Sequence, residues 1–285
     1  MIFRQPTRFL ELLTLGFLLF VGLVAVARAA PLGHEAKFKG ADIALIMAEI
    51  EGQAYAAIDI QLAPGWHTYW RYPGASGIAP EMRARESRHI MGASGGVIYP
   101  APSFFDDGVG GFIGYAGETG FVVPMNVTPG EVLDIDVRLG LCRDICVPVR
   151  ARLVRRVSAA ELRAPDAVAR ITQLLARRPA PPSAQLQATE LRYHNGVLRL
   201  TLRGQALHRP EVVLVPGPGE VISPPKARRL GPDHYVFEFP ARSALDPPFF
   251  KSKLRLLARH RDSAIEQMLD VRHIHASQTN NRHGD

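Results

Sequence analysis

The chain has 285 residues, two cysteines and a formal net charge of +7. This length is sufficient for two domains. Its basic residues are scattered, in pairs such as Arg155-Arg156 and Arg228-Arg229, and they form no long run. Nucleic-acid binding needs a concentrated basic face, so the composition argues against that class of function.

The N-terminus has the pattern of a signal peptide. Arg4 and Arg8 precede an apolar run over residues 13–27, and Ala27-Arg28-Ala29 supplies a small-x-small cleavage site. The run of about 15 residues is shorter than the roughly 20 that span a bilayer. We therefore predict a signal peptide over residues 1–29, export to the periplasm and a mature chain without a transmembrane segment.

The next part of the chain is predicted to be a β-sandwich over residues 30–157. Short apolar stretches alternate with Pro and Gly turn signals at spacings typical of that architecture. Residues 103–118 are rich in glycine and are predicted to be loop. The predicted strands cover residues 42–63, 67–70, 95–99, 121–127, 132–141 and 147–157.

A helix and a proline-rich linker are predicted over residues 158–184. Ser158 and Glu161 form a capping box, in which a hydroxyl and a carboxylate satisfy free N–H groups at a helix start. Pro165 interrupts the apolar positions that follow, so the helix is expected to restart there. The sequence RPAPPS at residues 178–183 is a stiff linker and the best domain boundary.

Residues 185–273 are predicted to form a second, smaller β domain. Asn195-Gly196 is a favoured two-residue hairpin turn between two apolar stretches. Further strands are expected at 212–215, 221–222, 235–239 and 254–258. The polar tail over residues 274–285 is predicted to be disordered. The fold class is therefore mainly β, with one short helical segment.

Cys142 and Cys146 are the candidate chemical site. On a straight strand, positions four apart lie about 13 Å from each other, whereas a disulfide needs about 4.4–6.8 Å between Cα atoms. If residues 143–145 form a hairpin loop, the two cysteines face each other at roughly 4.5–5.5 Å. They would then lie at an accessible rim of the sheet.

Three functions remain open for this pair. A disulfide that closes so short a loop adds little stability, because the stabilisation grows with loop length. Thiol–disulfide exchange is therefore favoured over a structural disulfide. Capture of Cu(I) by two soft thiolates is the third possibility. No other cofactor is predicted. If the disulfide is structural, the protein would be an interaction module without catalytic activity.

Five motifs resemble the N-terminal periplasmic domain of DsbD-type disulfide reductases, in the variant linked to suppression of copper sensitivity. In chain order they are residues 64–74 (PGWHTYWRYPG), 99–102 (YPAP), Gly114-Tyr115, Val123-Pro124 and 142–148 (CRDICVP). The resemblance covers residues 41–157. It implies an immunoglobulin-like sandwich that acts as a protein-disulfide reductase-type electron relay.

The resemblance also implies partners. Cys142 and Cys146 would exchange electrons with periplasmic thioredoxin-like proteins, and a membrane protein would serve as the electron donor. Cytochrome c biogenesis and copper tolerance are the associated processes. The chain shows no membrane or thioredoxin-like domain, so we expect electrons to pass through separate proteins. Cys146 is favoured as the attacking thiol.

An aromatic cap over the cysteines is a further implication of the resemblance. Phe104 and Phe105 lie at the matching place, with Tyr115 beyond them. Ala75 stands where the family usually carries an acidic residue, which weakens an acid–base role for that turn. Other aromatic side chains, namely Trp66, Tyr69 and Trp70, are predicted to be sandwich core, and His67 to be packed or on the surface.

Overall fold

The structure is a computed structural model that describes residues 32–74, 77–85, 96–105, 111–194, 196–217, 220–222, 226–240 and 253–273. The predicted signal peptide, the predicted disordered tail and Ala75 lie outside these residues. Within the described ranges, no helix combines the length and the apolar character that a membrane crossing requires.

Eleven strands form the first part of the described chain, which we call the first β unit. They are β1 (Leu32–Gly33), β2 (Glu35–Phe38), β3 (Ala41–Ile50), β4 (Gln53–Leu62), β5 (His67–Tyr69), β6 (Glu81–Ala84), β7 (Ser103–Phe105), β8 (Phe112–Ala116), β9 (Glu118–Met125), β10 (Val132–Cys142) and β11 (Cys146–Arg156). Two helices follow, α1 (Ala159–Leu162) and α2 (Pro165–Ala176).

Nine strands form the second β unit. They are β12 (Leu186–His194), β13 (Val197–Gly204), β14 (Glu211–Gly217), β15 (Glu220–Ile222), β16 (Lys226–Gly231), β17 (His234–Pro240), β18 (Leu254–His260), β19 (Ser263–Leu269) and β20 (Arg272–His273). The described residues between 32 and 273 belong to one compact unit that contains both β units. The predicted mainly-β class is confirmed.

Two sheets enclose the core of the first β unit. A seven-stranded sheet has the order β1-β11-β10-β5-β8-β7, with β6 also paired to β10, and a four-stranded sheet has the order β2-β3-β4-β9. Alternate residues of β4 point to opposite faces, as the pleat requires. Ile58 and Ile60 enter the core between the sheets, whereas Ala57 packs outward beneath α2.

The helical segment has the predicted start signals. The Glu161 amide donates to Ser158 Oγ at 3.1 Å, which confirms the capping box. Pro165 is the first residue of α2, as predicted. Ile171 and Leu174 are fully buried against the outer face of the four-stranded sheet. The amphipathic helix thereby covers one side of the sandwich.

Strand β14 is buried on both faces and joins the two cores. Val212 and Leu214 belong to the core of the second β unit. The alternate residues Val213 and Val215 belong to the core of the first β unit. A strand covered on both faces has a continuous apolar sequence, which explains the unbroken VVLV run.

The expectation that residues 103–118 are loop was wrong for the described part of that segment. It contains β7 and β8, which pair with each other. The glycines indicated a loop, but Gly114 lies within a strand and allows close packing of that strand. A Cβ on Gly114 would lie 2.1 Å from the carbonyl oxygen of Thr68, so β8 can approach β5 closely only with glycine at that position.

Candidate redox site

The cysteines close the hairpin between β10 and β11. Their antiparallel register runs without a break from Val132 opposite Arg156 to Cys142 opposite Cys146. Residues 143–145 form the loop, as predicted. The two Cα atoms lie 4.2 Å apart and the sulfurs are bonded as a disulfide.

The two sulfur-bearing residues differ sharply in exposure. Cys142 is 1% exposed, because β10 is an interior strand and Cys142 also pairs with His67 of β5. Cys146 is exposed at the start of β11. In the described part of the chain, the strand beyond β11 is β1, which pairs only at Arg152 and Leu153. The disulfide is therefore accessible from the Cys146 side.

Tyr69 contacts both sulfurs. Its hydroxyl oxygen lies 2.8 Å from Sγ of Cys142 and 2.9 Å from Sγ of Cys146. Disulfide sulfurs carry no proton, so the phenol is the donor in both contacts. The side chain is 2% exposed. The prediction that Tyr69 is core was incomplete: it is buried, but its hydroxyl belongs to the redox site.

Two glycines make room for the Tyr69 ring. A Cβ on Gly140 would lie 2.9 Å from two ring carbons of Tyr69 and 2.7 Å from Cβ of Ile78. A Cβ on Gly77 would lie 2.8 Å from the same ring. The absence of side chains at these positions leaves room for the two opposite edges of the ring, one beside each glycine.

Replacing Gly140 by Ala should therefore displace the Tyr69 ring. We expect Gly140→Ala to lower the free energy of unfolding by about 1–3 kcal/mol, because extra volume in a packed site forces its neighbours to shift. Urea denaturation of the oxidised protein measures the change. Gly33→Ala is the matched control, since its new Cβ would have no atom closer than 3.9 Å. Equal losses in the two variants would contradict this packing.

Aromatic rings cover the buried end of the disulfide. Phe112 and Cys142 belong to one buried cluster, with Phe105 packed against it. The ring centroids of Phe105 and Phe112 lie 4.8 Å apart in a stack, and those of His67 and Phe112 lie 4.1 Å apart. Phe105, one of the three predicted cap residues, therefore packs against the buried cluster that contains Cys142.

The structure places the other two predicted cap residues elsewhere. Phe104 packs against the main core of the first β unit, and Tyr115 is buried within it. The Tyr115 hydroxyl donates to the carbonyl of Pro100 at 2.9 Å. Burial raises the pKa of Tyr115 well above its usual value, so the phenol stays protonated. Because side chains alternate along β7 and β8, only one face of each strand can reach the cysteines.

The sequence interpretation missed Tyr69, His67 and Phe112 as site residues. Alternation along β5 does place His67 and Tyr69 on one face. The alternation does not say which strand lies next to β5. That strand is β10, in which Cys142 pairs with His67 although the two residues are 75 positions apart. No local signal encodes this register.

The loop beside Cys146 presents an apolar and nearly neutral surface. Arg143 Nε donates to Asp144 Oδ2 at 2.9 Å, so the two loop charges form a pair. The Arg143 guanidinium also lies 5.9 Å from the centre of the Trp66 ring. The flanking side chains of Ile145 and Val147 are 74% and 41% exposed.

Metal-ligating side chains do not cluster in the described part of the chain. Among the residues that the structure describes, no group of three or more His, Cys, Asp or Glu side chains is arranged to hold a metal ion.

The part of the chain that contains both cysteines is similar to a known protein family. Residues 41–158 match the family described as thiol:disulfide interchange protein DsbD, N-terminal. This region thus resembles the N-terminal domain of DsbD. The predicted resemblance is confirmed, and the DsbD-like region contains β3 to β11 with both cysteines. A search of curated proteins found no match.

A solved structure extends the likeness beyond the DsbD-like region. The crystal structure of the N-terminal periplasmic domain of ScsB from Proteus mirabilis matches with a TM-score of 0.68 and 22% sequence identity. The match covers 82% of this chain and 96% of that one. Since the DsbD-like region is well under half of the chain, the second β unit shares the fold of that structure as well.

Proposed function

We propose that this protein is a periplasmic thiol–disulfide exchange module that relays electrons through Cys142 and Cys146. One observation carries the proposal: an exposed cysteine is bonded to a buried cysteine, and the hydroxyl of Tyr69 contacts both sulfurs. The match of this region to the DsbD N-terminal family supports it. A purely structural disulfide would need neither the unequal exposure of the two cysteines nor the contact with the Tyr69 hydroxyl.

The exchange follows from the asymmetry of the pair. A partner thiolate attacks Sγ of Cys146, and the bond between Cys146 and Cys142 breaks. The electron pair leaves on Sγ of Cys142 as a thiolate, which the Tyr69 hydroxyl can stabilise by hydrogen bonding. A second thiolate of the partner then attacks the partner's own sulfur in the mixed disulfide. Sγ of Cys146 leaves as a thiolate, and the two released thiolates take up protons from water. The partner ends as a disulfide and this protein as a dithiol, so two electrons have moved.

The same geometry serves the reverse direction. A Cys146 thiolate would attack a partner disulfide, and Cys142 would then release the partner by attacking Sγ of Cys146. A sulfur flanked by exposed Ile145 and Val147 suits a partner with an apolar surface around its own cysteines. We propose thioredoxin-like periplasmic proteins as these partners, with a membrane protein as electron donor and cytochrome c maturation or copper tolerance as the process served.

Redox titration tests the proposal. The protein is equilibrated in glutathione buffers of graded potential, and the dithiol fraction is read by alkylation and mass. We expect a midpoint above about −300 mV, within reach of exchange partners. A midpoint below that value is typical of a structural disulfide and would overturn the proposal.

Cu(I) binding stays the second prediction for the same two residues. It would use the reduced thiolates of Cys142 and Cys146, which are soft ligands suited to Cu(I). Anaerobic titration of the dithiol form with Cu(I) distinguishes the two functions. Binding weaker than micromolar would remove this alternative.

A further inference from the structure

Strand β7 carries the cap residue on a short and weakly paired segment. It has three residues, Ser103 to Phe105, and lies at the end of the seven-stranded sheet. Among the described strands it pairs only with β8. Short edge strands with one partner open at low free-energy cost. The stack of Phe105 on Phe112 therefore depends on whatever else holds β7 in place.

The second β unit supplies that support. Arg259, on β18, donates from Nη1 to Oγ of Ser103 at 2.7 Å. The two residues are 156 positions apart. Just before β7, the amide of Ala101 donates to the carbonyl of Arg177 at 2.7 Å. The cap strand is thus tied on one side to the second β unit and at its start to the end of α2.

Another contact joins the second β unit to the strand that carries Tyr69. Arg71 lies two residues after the end of β5 and forms an ion pair with Glu266 of β19, which also pairs with Arg255 of β18. The Arg71 guanidinium lies 5.0 Å from the centre of the Trp70 ring. The second β unit therefore contacts both β7, which carries Phe105, and the segment just after β5, which carries Tyr69.

We propose that the second β unit is a brace for the cap strand and that Arg259 is a positioning residue for Phe105. The inference rests on the proposed function, since it gives the second β unit a role in controlling access to Cys142. The contact between Arg259 and Ser103 keeps β7 against β8. Phe105 then stays stacked on Phe112, and the buried sulfur stays covered.

Labelling of single cysteines tests the brace. In a Cys146→Ala background, Cys142 reacts with N-ethylmaleimide only when the cap opens. We expect Arg259→Met, which keeps the aliphatic stem, to speed this labelling about fivefold, the effect of losing roughly 1 kcal/mol of local stability. Ser103→Ala removes the acceptor from the other side and should give the same increase. The double variant should label no faster than either single variant.

The controls separate a positioning role from general destabilisation. In a Cys142→Ala background, the exposed Cys146 should label at the same rate with or without Arg259→Met. Arg199→Met removes a surface ion pair with Glu238 in the second β unit and should leave Cys142 labelling unchanged. Because the Ser103→Ala variant lies in the first β unit, it keeps the test valid if Arg259→Met fails to fold.

Two outcomes overturn the brace and leave the proposed function intact. One is unchanged Cys142 labelling in both Arg259→Met and Ser103→Ala while the glutathione midpoint stays above about −300 mV. The other is an equal acceleration by Arg199→Met. Conversely, a midpoint below that value rejects the exchange function even where labelling rises, so the two failures are distinguishable.

Discussion

A variant that retains only Cys146 should form a mixed disulfide with glutathione disulfide at least about 100-fold faster than a variant that retains only Cys142. Cys146 is an exposed residue, whereas Cys142 is 1% exposed in a buried cluster with Tyr69 and Phe112. Reaction at Cys142 requires local opening, and a cost of about 3 kcal/mol corresponds to this ratio. Mass spectrometry of Cys142→Ala and Cys146→Ala over time gives the two rates.

Unfolding provides the matched control for this prediction. In concentrated urea both single-cysteine variants are unfolded, and both cysteines are exposed to solvent. Their rates of mixed-disulfide formation should then agree to within about threefold. Convergence would show that the native ratio comes from burial rather than from the neighbouring sequence. Equal native rates, or a faster Cys142, would contradict the assignment of Cys146 as the attacking sulfur.

Replacing Tyr69 by Phe should slow exchange about tenfold while the protein remains folded. The substitution keeps the ring between Gly140 and Gly77 and removes only the hydroxyl that contacts both sulfurs. A hydrogen bond to a charged group contributes about 1.5–3 kcal/mol. The leaving thiolate of Cys142 loses that bond, so the barrier to its departure rises. Stopped-flow reduction of the disulfide by dithiothreitol measures the rate.

The pH dependence of the reduced protein distinguishes this role from packing. A donor beside a thiolate favours the charged form, so its loss in Tyr69→Phe should raise the pKa of the Cys142 thiol. Thiolate absorbance against pH reports this directly. Tyr55→Phe is the control, since Tyr55 packs near α2 and away from the cysteines. An unchanged rate and an unchanged pKa in Tyr69→Phe would refute the role of the hydroxyl.

The asymmetry between the cysteines has a simple origin in the sheet. Cys142 ends β10, which is flanked by β11 and β5 at that point. Cys146 begins β11, where the described chain provides no strand on the outer side. One disulfide thus joins a buried cysteine and an exposed cysteine without any special loop.

Local patterns predicted much of the fold. The capping box at Ser158, the restart at Pro165 and the hairpin loop over residues 143–145 each depend on neighbours within a few positions, and each has the predicted geometry. The VVLV run also predicted a strand correctly. It could not reveal that the two faces of β14 belong to two different cores.

Local sequence patterns could not predict the contacts between strands that are distant in the sequence. Glycine at position 114 indicated a loop, whereas it permits the close approach of β8 to β5. Phe104 and Phe105 are adjacent in sequence, and only the pleat of β7 decides which one faces Cys142. Tyr69 was predicted to be a core residue from its aromatic side chain. Its hydroxyl lies beside the disulfide because of the register between β5 and β10, which the local sequence does not encode.

The amino-acid sequence by itself determined the chemistry: two cysteines four positions apart across a tight hairpin can form a bond and exchange it. Tertiary structure alone decided which cysteine is exposed, which phenol contacts both sulfurs and which arginine of the second β unit contacts β7. The reason is that turns and caps are set by interactions over a few residues, whereas exposure and register depend on strands brought together from distant parts of the chain.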